Sequence, residues 1–166
     1  MTVWQRVELR MHGARLEVAA LEWDWVEAQL VGAGTYWTTS TTSGRAHPRP
    51  VWGVWQGDRL YLSVGTPATL QALMADPAVT VHLDSGTDVV IVEGRVESAS
   101  TDASVIAAYD AKYDWHYDLA TYGPLQCVRA DAVLAWQAKG WAGREGIGRT
   151  GRWMYLEDPS PRHGGS

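Results

Sequence analysis

LYLSVGTPATLQALMADPAVTVHLDSGTDVVIVE, residues 60–93, alternates between two kinds of local structure. Its first residues complete a strand that runs from Arg59 to Val64. Thr66 then supplies a capping hydroxyl, and Pro67 a first helical residue whose missing N–H is not needed there. A short helix over 66–75 follows, and Asp76-Pro77 stops it. Val79–Asp84 and Asp88–Glu97 are rich in Val and Ile and flank Ser85-Gly86-Thr87, which predicts two strands and a turn. The same stretch contains no Lys or Arg, yet it holds Asp76, Asp84, Asp88 and Glu93.

Outward from this stretch the pattern stays β-rich. Residues 35–42 and 46–56 predict a hairpin across Ser43-Gly44, with Pro48 and Pro50 marking an edge or a bulge. Gly57-Asp58 turns the chain into the 59–64 strand. Upstream, Leu16, Ala20, Trp23 and Leu30 predict a helix over 14–33, stopped near Gly32 and Gly34. Downstream, Thr101 is the expected cap of a helix through Lys112. Residues 114–123 form an aromatic loop or a loose helical turn. Cys127–Gln137 is a strand, 140–151 a Gly/Arg loop, and Trp153–Leu156 a last short strand. Six or seven antiparallel strands with two or three helices make an α+β domain on a barrel.

The 166 residues fit one domain, expected over 1–157, with 158–166 a disordered Pro/Gly/Ser-rich tail. A net charge of −5 argues against a nucleic-acid or anionic-membrane surface. No apolar run approaches a membrane span or a signal peptide. A single cysteine, Cys127, leaves no internal disulfide and fits a reducing cytoplasm. The chain has ten Trp and no Phe, so the indoles either fill the core or line a cavity or an interface.

The strings TTSTTSGRAHPRPVWGVWQGDRLYLSVG, LMADPAVTVHLDSGTDVVIVEGRVE, AYDAKYDW and GRWMY resemble the pyridoxamine 5'-phosphate oxidase-like, flavin/deazaflavin split-barrel proteins. The resemblance covers most of the chain. It implies a split β-barrel of the FMN-binding type, working as a cytoplasmic homodimer with two cofactor sites at its interface. It also implies FMN or F420 as cofactor. The ring would lie along Arg49, Pro50, Val51 and Trp52, with Ser63 and Val64 on the next strand. The phosphate would sit at Thr66 and Thr69, and Arg152 and Trp153, on the terminal strand, would reach in from the partner chain. Typical members carry an Arg-Lys pair at the turn into the short helix. This chain has Ala68-Thr69 there, and Gln71 replaces another frequently basic position, so it resembles a subgroup without the usual phosphate-binding pair.

Other residues suggest chemistry less specifically. Tyr113, Trp115, His116 and Tyr117 sit in an aromatic cluster with Tyr109 and Tyr122. They read as a substrate wall with His116 as acid or base, or as a packing loop with His116 in solvent. His47 lies beside Arg45 and Arg49 and is the better ligand-facing histidine. His82 and Asp84 share a strand face but are too few for a metal site, so none is expected. Cys127 reads as a small buried hydrophobe. The 140–151 loop reads as a surface loop or as a flap bringing Arg144 and Arg149 to the cleft.

The leading expectation is a small oxidoreductase that binds FMN or F420 and moves a hydride to or from an aromatic or conjugated small molecule. The alternative is a flavin-free split barrel holding a hydrophobic small molecule in a Trp/Tyr-lined cleft, as a binding protein, cyclase or isomerase. A third is haem binding through His47, His82 or His116. No residue stands out as a catalytic acid or base, and whether the chain is an enzyme stays open.

Overall fold

The computed structural model describes residues 3–8, 10, 11, 14, 15, 18–138 and 147–156. The expected 158–166 tail and residues 140–146 of the expected flap, Arg144 included, lie outside the described residues.

Six long strands close on themselves. They are β5 (Tyr36–Thr42), β6 (Arg45–Gln56), β7 (Arg59–Ser63), β8 (Ala78–His82), β9 (Asp88–Ser100) and β10 (Leu125–Ala138). The hydrogen-bonded order is β10-β7-β6-β5-β8-β9 and back to β10, every pair antiparallel. The barrel splits along β10. Residues 126–129 of β10 pair with β7, whereas residues 132–138 pair with β11 (Ile147–Leu156). A register shift between Ala130 and Ala132 marks the changeover. β1 (Val3–Val7) extends β11, β4 (Ala19–Ala20) pairs parallel to it, and β2 (Arg10–Met11) and β3 (Ala14–Arg15) pair with each other.

The barrel interior follows the two-residue period of its strands. Leu60 and Leu62 on β7 are fully buried beside Val79 and Val81 on β8 and Val90 and Val92 on β9. Each such side chain contributes about 1.5–3 kcal/mol on burial. α1 (Trp23–Gly32) adds Val26 and Leu30 to the same core. A second, smaller core lies outside the barrel, where α3 (Ala103–Tyr113) packs Val105 and Tyr109 against Val54 and Leu125. α2 (Pro67–Ala75) and α4 (Leu119–Tyr122) complete the helices. No helix among the described residues is long and apolar enough to cross a membrane.

The structure corrects the sequence reading in three places, and it decides between core and cavity for many of the indoles. The first helix spans Trp23–Gly32, not 14–33. The backbone before it is used by the sheet, because Ala19–Ala20 pair with Arg149–Thr150 and the Leu21 N–H donates to the Thr150 carbonyl at 3.0 Å. α3 is capped by Asp102 rather than Thr101, its carboxylate accepting from the Ser104 N–H at 2.7 Å. The last strand starts at Ile147, so Arg149 is a strand residue paired with Gln137 rather than part of a loop. Many of the indoles are core. Trp23 stacks on Trp4 at 4.6 Å and meets Trp153 edge-on at 5.5 Å, and Trp55 lies in the same cluster.

Candidate functional site

Outside the barrel, a cleft of about 410 Å³ opens between the β6–β7 face, the start of α2 and the segment that follows α3. Its floor is Arg49, Pro50, Val51 and Trp52 with Ser63 and Val64, and one end is Gly65, Thr66 and Thr69. Its wall is Tyr109, Trp115, Tyr117 and Tyr122. The volume lies in the range of small-molecule sites, and its mainly apolar lining with few polar groups is their usual character.

The wall is built by hydrogen bonds that fold the chain back after α3. Asp114 ends that helix with a left-handed φ of 48°. Asp110 then holds the returning backbone, accepting from the Tyr117 N–H at 2.7 Å on its carboxylate and from the Trp115 N–H at 3.1 Å on its carbonyl. The Tyr117 hydroxyl donates to the Gly123 carbonyl at 3.1 Å. Trp52 is 44 % exposed and Trp115 47 % exposed, so both indoles present free surface. Their centroids are 6.1 Å apart at 80°, forming a corner.

A second groove of about 710 Å³ lies between the β5–β6 hairpin and α2. Ser40, Thr41, Thr42 and Ser43 line it from the hairpin, with His47, and Gln71 lines it from α2. Arg49 and Thr69 line both cavities and mark where they meet.

Arg49, Pro50, Val51, Trp52, Ser63, Val64, Thr66 and Thr69, expected around a cofactor, thus surround one cleft. Arg152 and Trp153 do not join them within this chain. Trp153 is 3 % exposed in the barrel core, where Trp23 meets it edge-on. Arg152 borders a separate depression with Glu93 and Arg95 on the β8–β9 face, where its Nε is buried without a hydrogen-bond partner. Of the residues expected to touch a substrate, Trp115 and Tyr117 line the cleft and His47 the groove. Tyr113 lies behind Trp52, parallel to it at 4.7 Å. The His116 side chain is 94 % exposed, with Nδ1 3.8 Å from Asp110, and does not line the cleft. His82 bonds through Nδ1 to the Leu83 carbonyl at 3.0 Å, and the neighbouring Asp84 accepts from the Trp37 indole N–H at 2.5 Å. Cys127 is buried, and burial pushes its thiol pKa up, away from reactivity. Among the described residues no group of three His, Cys, Asp or Glu is placed to hold a metal ion.

The ring half and the phosphate half of a flavin-type cofactor meet different surroundings. A planar ring is matched by the flat β6–β7 floor and the indole corner. A phosphate is poorly matched. The α2 N-terminus offers a partial positive charge, but its first residue, Pro67, has no N–H. The Thr66 and Thr69 hydroxyls bond each other at 2.7 Å, and Thr66 also caps the Thr69 N–H at 3.3 Å. Arg49 is the sole cation among the cleft's lining residues, and its Nη1 already donates to the Pro48 carbonyl at 2.8 Å. The residues present therefore fit the ring and leave the phosphate largely uncompensated.

Tyr109, grouped by the sequence with the possible substrate wall, lines the cleft. Burial raises its phenol pKa to about 12. Lys112, read only as helix register, is enclosed by aromatic rings. Its Nζ donates to the Tyr36 hydroxyl at 2.9 Å and lies 4.7 Å from the Tyr36 ring centroid and 5.5 Å from that of Tyr113. Burial draws its pKa down to about 8. Nothing in a lone helical lysine announces such an enclosure.

No family model and no curated protein matches this chain. Solved structures do. An F420 reductase superposes with a TM-score of 0.54 at 20% identity, over 64% of this chain and 94% of that one. A candidate pyridoxamine 5'-phosphate oxidase from Listeria innocua gives 0.55 at 20% identity, over 68% and 95%. A FAD-binding protein from Mesorhizobium loti gives 0.55 at 15% identity, over 83% and 99%. The likeness is one of fold.

Proposed function

We propose that this chain, whose fold is the split barrel of pyridoxamine 5'-phosphate oxidase-like proteins, holds the planar ring of a flavin or deazaflavin in the β6–β7 cleft. It would act there as a small oxidoreductase on an aromatic or conjugated small molecule. One observation carries this reading: Arg49–Trp52, Ser63, Val64, Thr66 and Thr69 come from two strands and a helix start and surround a single cleft. The similar structures described as an F420 reductase and a FAD-binding protein support the same class of ligand. Hydride exchange would be the chemistry such a ring supplies when bound. The chain's own part is to position the ring on the strand floor, to fix it against Trp52 and Trp115, and to exclude water with the Tyr109–Tyr122 wall.

The shortage of cations favours a second reading, a flavin-free cleft for a hydrophobic small molecule. The absorption spectrum of protein purified from a host that makes both flavin and F420, followed by titration with FMN, separates the two. The first reading expects saturable FMN binding at micromolar or weaker affinity, reduced at least about tenfold by Trp52→Ala through loss of an aromatic stack and its buried area. No saturable binding of FMN or F420 would leave the second.

A further inference from the structure

The cleft meets a ring with electron-rich surfaces and almost no positive charge. Trp52, Tyr109, Trp115, Tyr117 and Tyr122 line it. Tyr113 covers one face of Trp52, parallel at 4.7 Å, and Trp115 stands beside that indole at 80°. One face of Trp52 is thus left for a ligand. Aromatic faces carry negative charge density, so they attract an electron-poor ring more than an electron-rich one. Arg49 is the only cation in the lining, and its Nη1 donates to the Pro48 carbonyl at 2.8 Å. The partial positive charge of the α2 N-terminus lies at the Thr66–Thr69 end. Two-electron reduction makes a flavin ring electron-rich, and the reduced ring readily loses a proton to become an anion. An anion moved from water into an apolar cleft is costly unless a cation pairs with it.

We infer that the cleft discriminates between the two oxidation states of its ring ligand, Trp52 and Trp115 favouring the oxidised ring and the shortage of cations disfavouring the reduced, anionic one. The bound ring is then a stronger reductant than the free ring, which directs the site toward reduction of a conjugated acceptor. In that direction the reductant is the reduced ring itself, taken up from solution. A hydride, one proton with two electrons, passes from it to the acceptor, and the ring is left in the oxidised form that the cleft holds best. This rests on the ring-binding reading above and adds to it the direction of the reaction.

Anaerobic equilibrium dialysis of the whole chain with oxidised FMN and with dithionite-reduced FMN compares the two affinities directly. The phosphate is common to both forms and cancels from their ratio. Oxidised FMN is expected to bind about tenfold more tightly, which places the midpoint potential of bound FMN about 30 mV below that of free FMN. Dye equilibration measures that shift independently. Ser63→Lys sets an ammonium on the strand floor and should cancel the preference. Trp115→Leu, at a position 47 % exposed, keeps an apolar wall without its π face and should lower the preference to about threefold or less. Two results would overturn the inference while the ring-binding reading stands. One is oxidised FMN binding no more than about threefold tighter than reduced FMN, reduced FMN binding the tighter included. The other is a preference that both variants leave unchanged, which would take its cause away from these residues. If neither form of FMN binds, the ring-binding reading itself fails, and this inference with it.

Discussion

Tyr113 lies flat against Trp52, with 4.7 Å between ring centroids and 6° between planes, and its hydroxyl secures the backbone of the next residue. β5 begins at Tyr36, opposite Val51, so Gly53 has no ladder partner on that side. The Tyr113 hydroxyl replaces that partner. It accepts from the Gly53 N–H at 3.0 Å and shares its proton between the Gly53 carbonyl at 2.9 Å and the Gly34 carbonyl at 3.1 Å. Tyr113→Phe keeps the stack but leaves a buried N–H and carbonyl unpaired. It is expected to destabilise the fold by about 1–3 kcal/mol in urea unfolding. A loss within error of zero would show that water replaces the hydroxyl.

Lys112 sets a pH dependence whose sign follows from its burial. Its folded pKa of about 8 lies below the ordinary 10.5, so between these values the unfolded chain holds a proton that the folded chain has released. Stability then rises with pH across that window. Near pH 10 the tyrosines oppose it, because burial raises the pKa values of Tyr36, Tyr109 and Tyr113, and stability falls once the unfolded phenols ionise. The expected profile increases from about pH 8 to 10 and turns over above it. Because Lys112 is half exposed, solvent screening keeps the rise modest. Urea midpoints for wild type and Lys112→Met across this range provide the check. A rise of equal size in both proteins would assign it to another group.

How much of this was legible beforehand follows from where local and distant forces agree. α2 was legible because Thr66, Pro67 and Asp76-Pro77 act within one or two residues of themselves. The strands that place Arg49–Trp52 beside Ser63 were legible for the same reason, since turns at Ser43-Gly44 and Gly57-Asp58 fix their register. The start of α1 was not, because a distant strand, β11, takes the backbone of Ala19 to Leu21. Trp153 was placed at the cleft by resemblance, but its partner Trp23 is 130 positions away in sequence and no periodicity reveals it. The enclosure of Lys112 depends on Tyr36 in the same way.

Gly94 is required by close packing rather than by a turn. A Cβ at this position would lie 2.1 Å from the Arg129 carbonyl oxygen, where β9 crosses β10 just before the Ala130/Ala132 register shift. Both neighbours are backbone, so neither can rotate away. Gly94→Ala is expected to cost about 1–3 kcal/mol, the range of overpacked cores. Gly86→Ala, with nothing within 4 Å of the added carbon, serves as the control. Equal thermal midpoints for the two variants would contradict the packing account.

The exposed indoles also bear on assembly. Trp52 and Trp115 are each more than two-fifths exposed, at the mouth of a cleft that is open on this chain. A second copy covering that mouth would bury them and complete the site. A two-fold dimer is expected, with an interface of about 2,000 Å² or more, the size class of obligate homodimers. Light scattering at micromolar concentration tests it, and a stable monomer there would rule it out.

The missing charges make the last prediction. Ala68 and Thr69 occupy the first turn of α2, next to the junction of the two cavities, and no Lys or Arg occurs between Leu60 and Glu93. Ala68→Arg with Thr69→Lys would supply two charge-assisted donors where a phosphate would approach. Two such bonds are worth about 3 kcal/mol, which corresponds to about a hundredfold in FMN affinity. The double variant should therefore bind FMN about a hundredfold more tightly than wild type, with riboflavin affinity nearly unchanged. Added salt should erode the gain, because it is electrostatic. Fluorescence titration at two ionic strengths measures all of these quantities. Nanomolar FMN binding by the wild type would show that another cation already holds the phosphate, with Arg49 and Arg152 the first to replace. Equal gains for riboflavin and FMN would show that the substitutions act on the shape of the cleft and not on its charge.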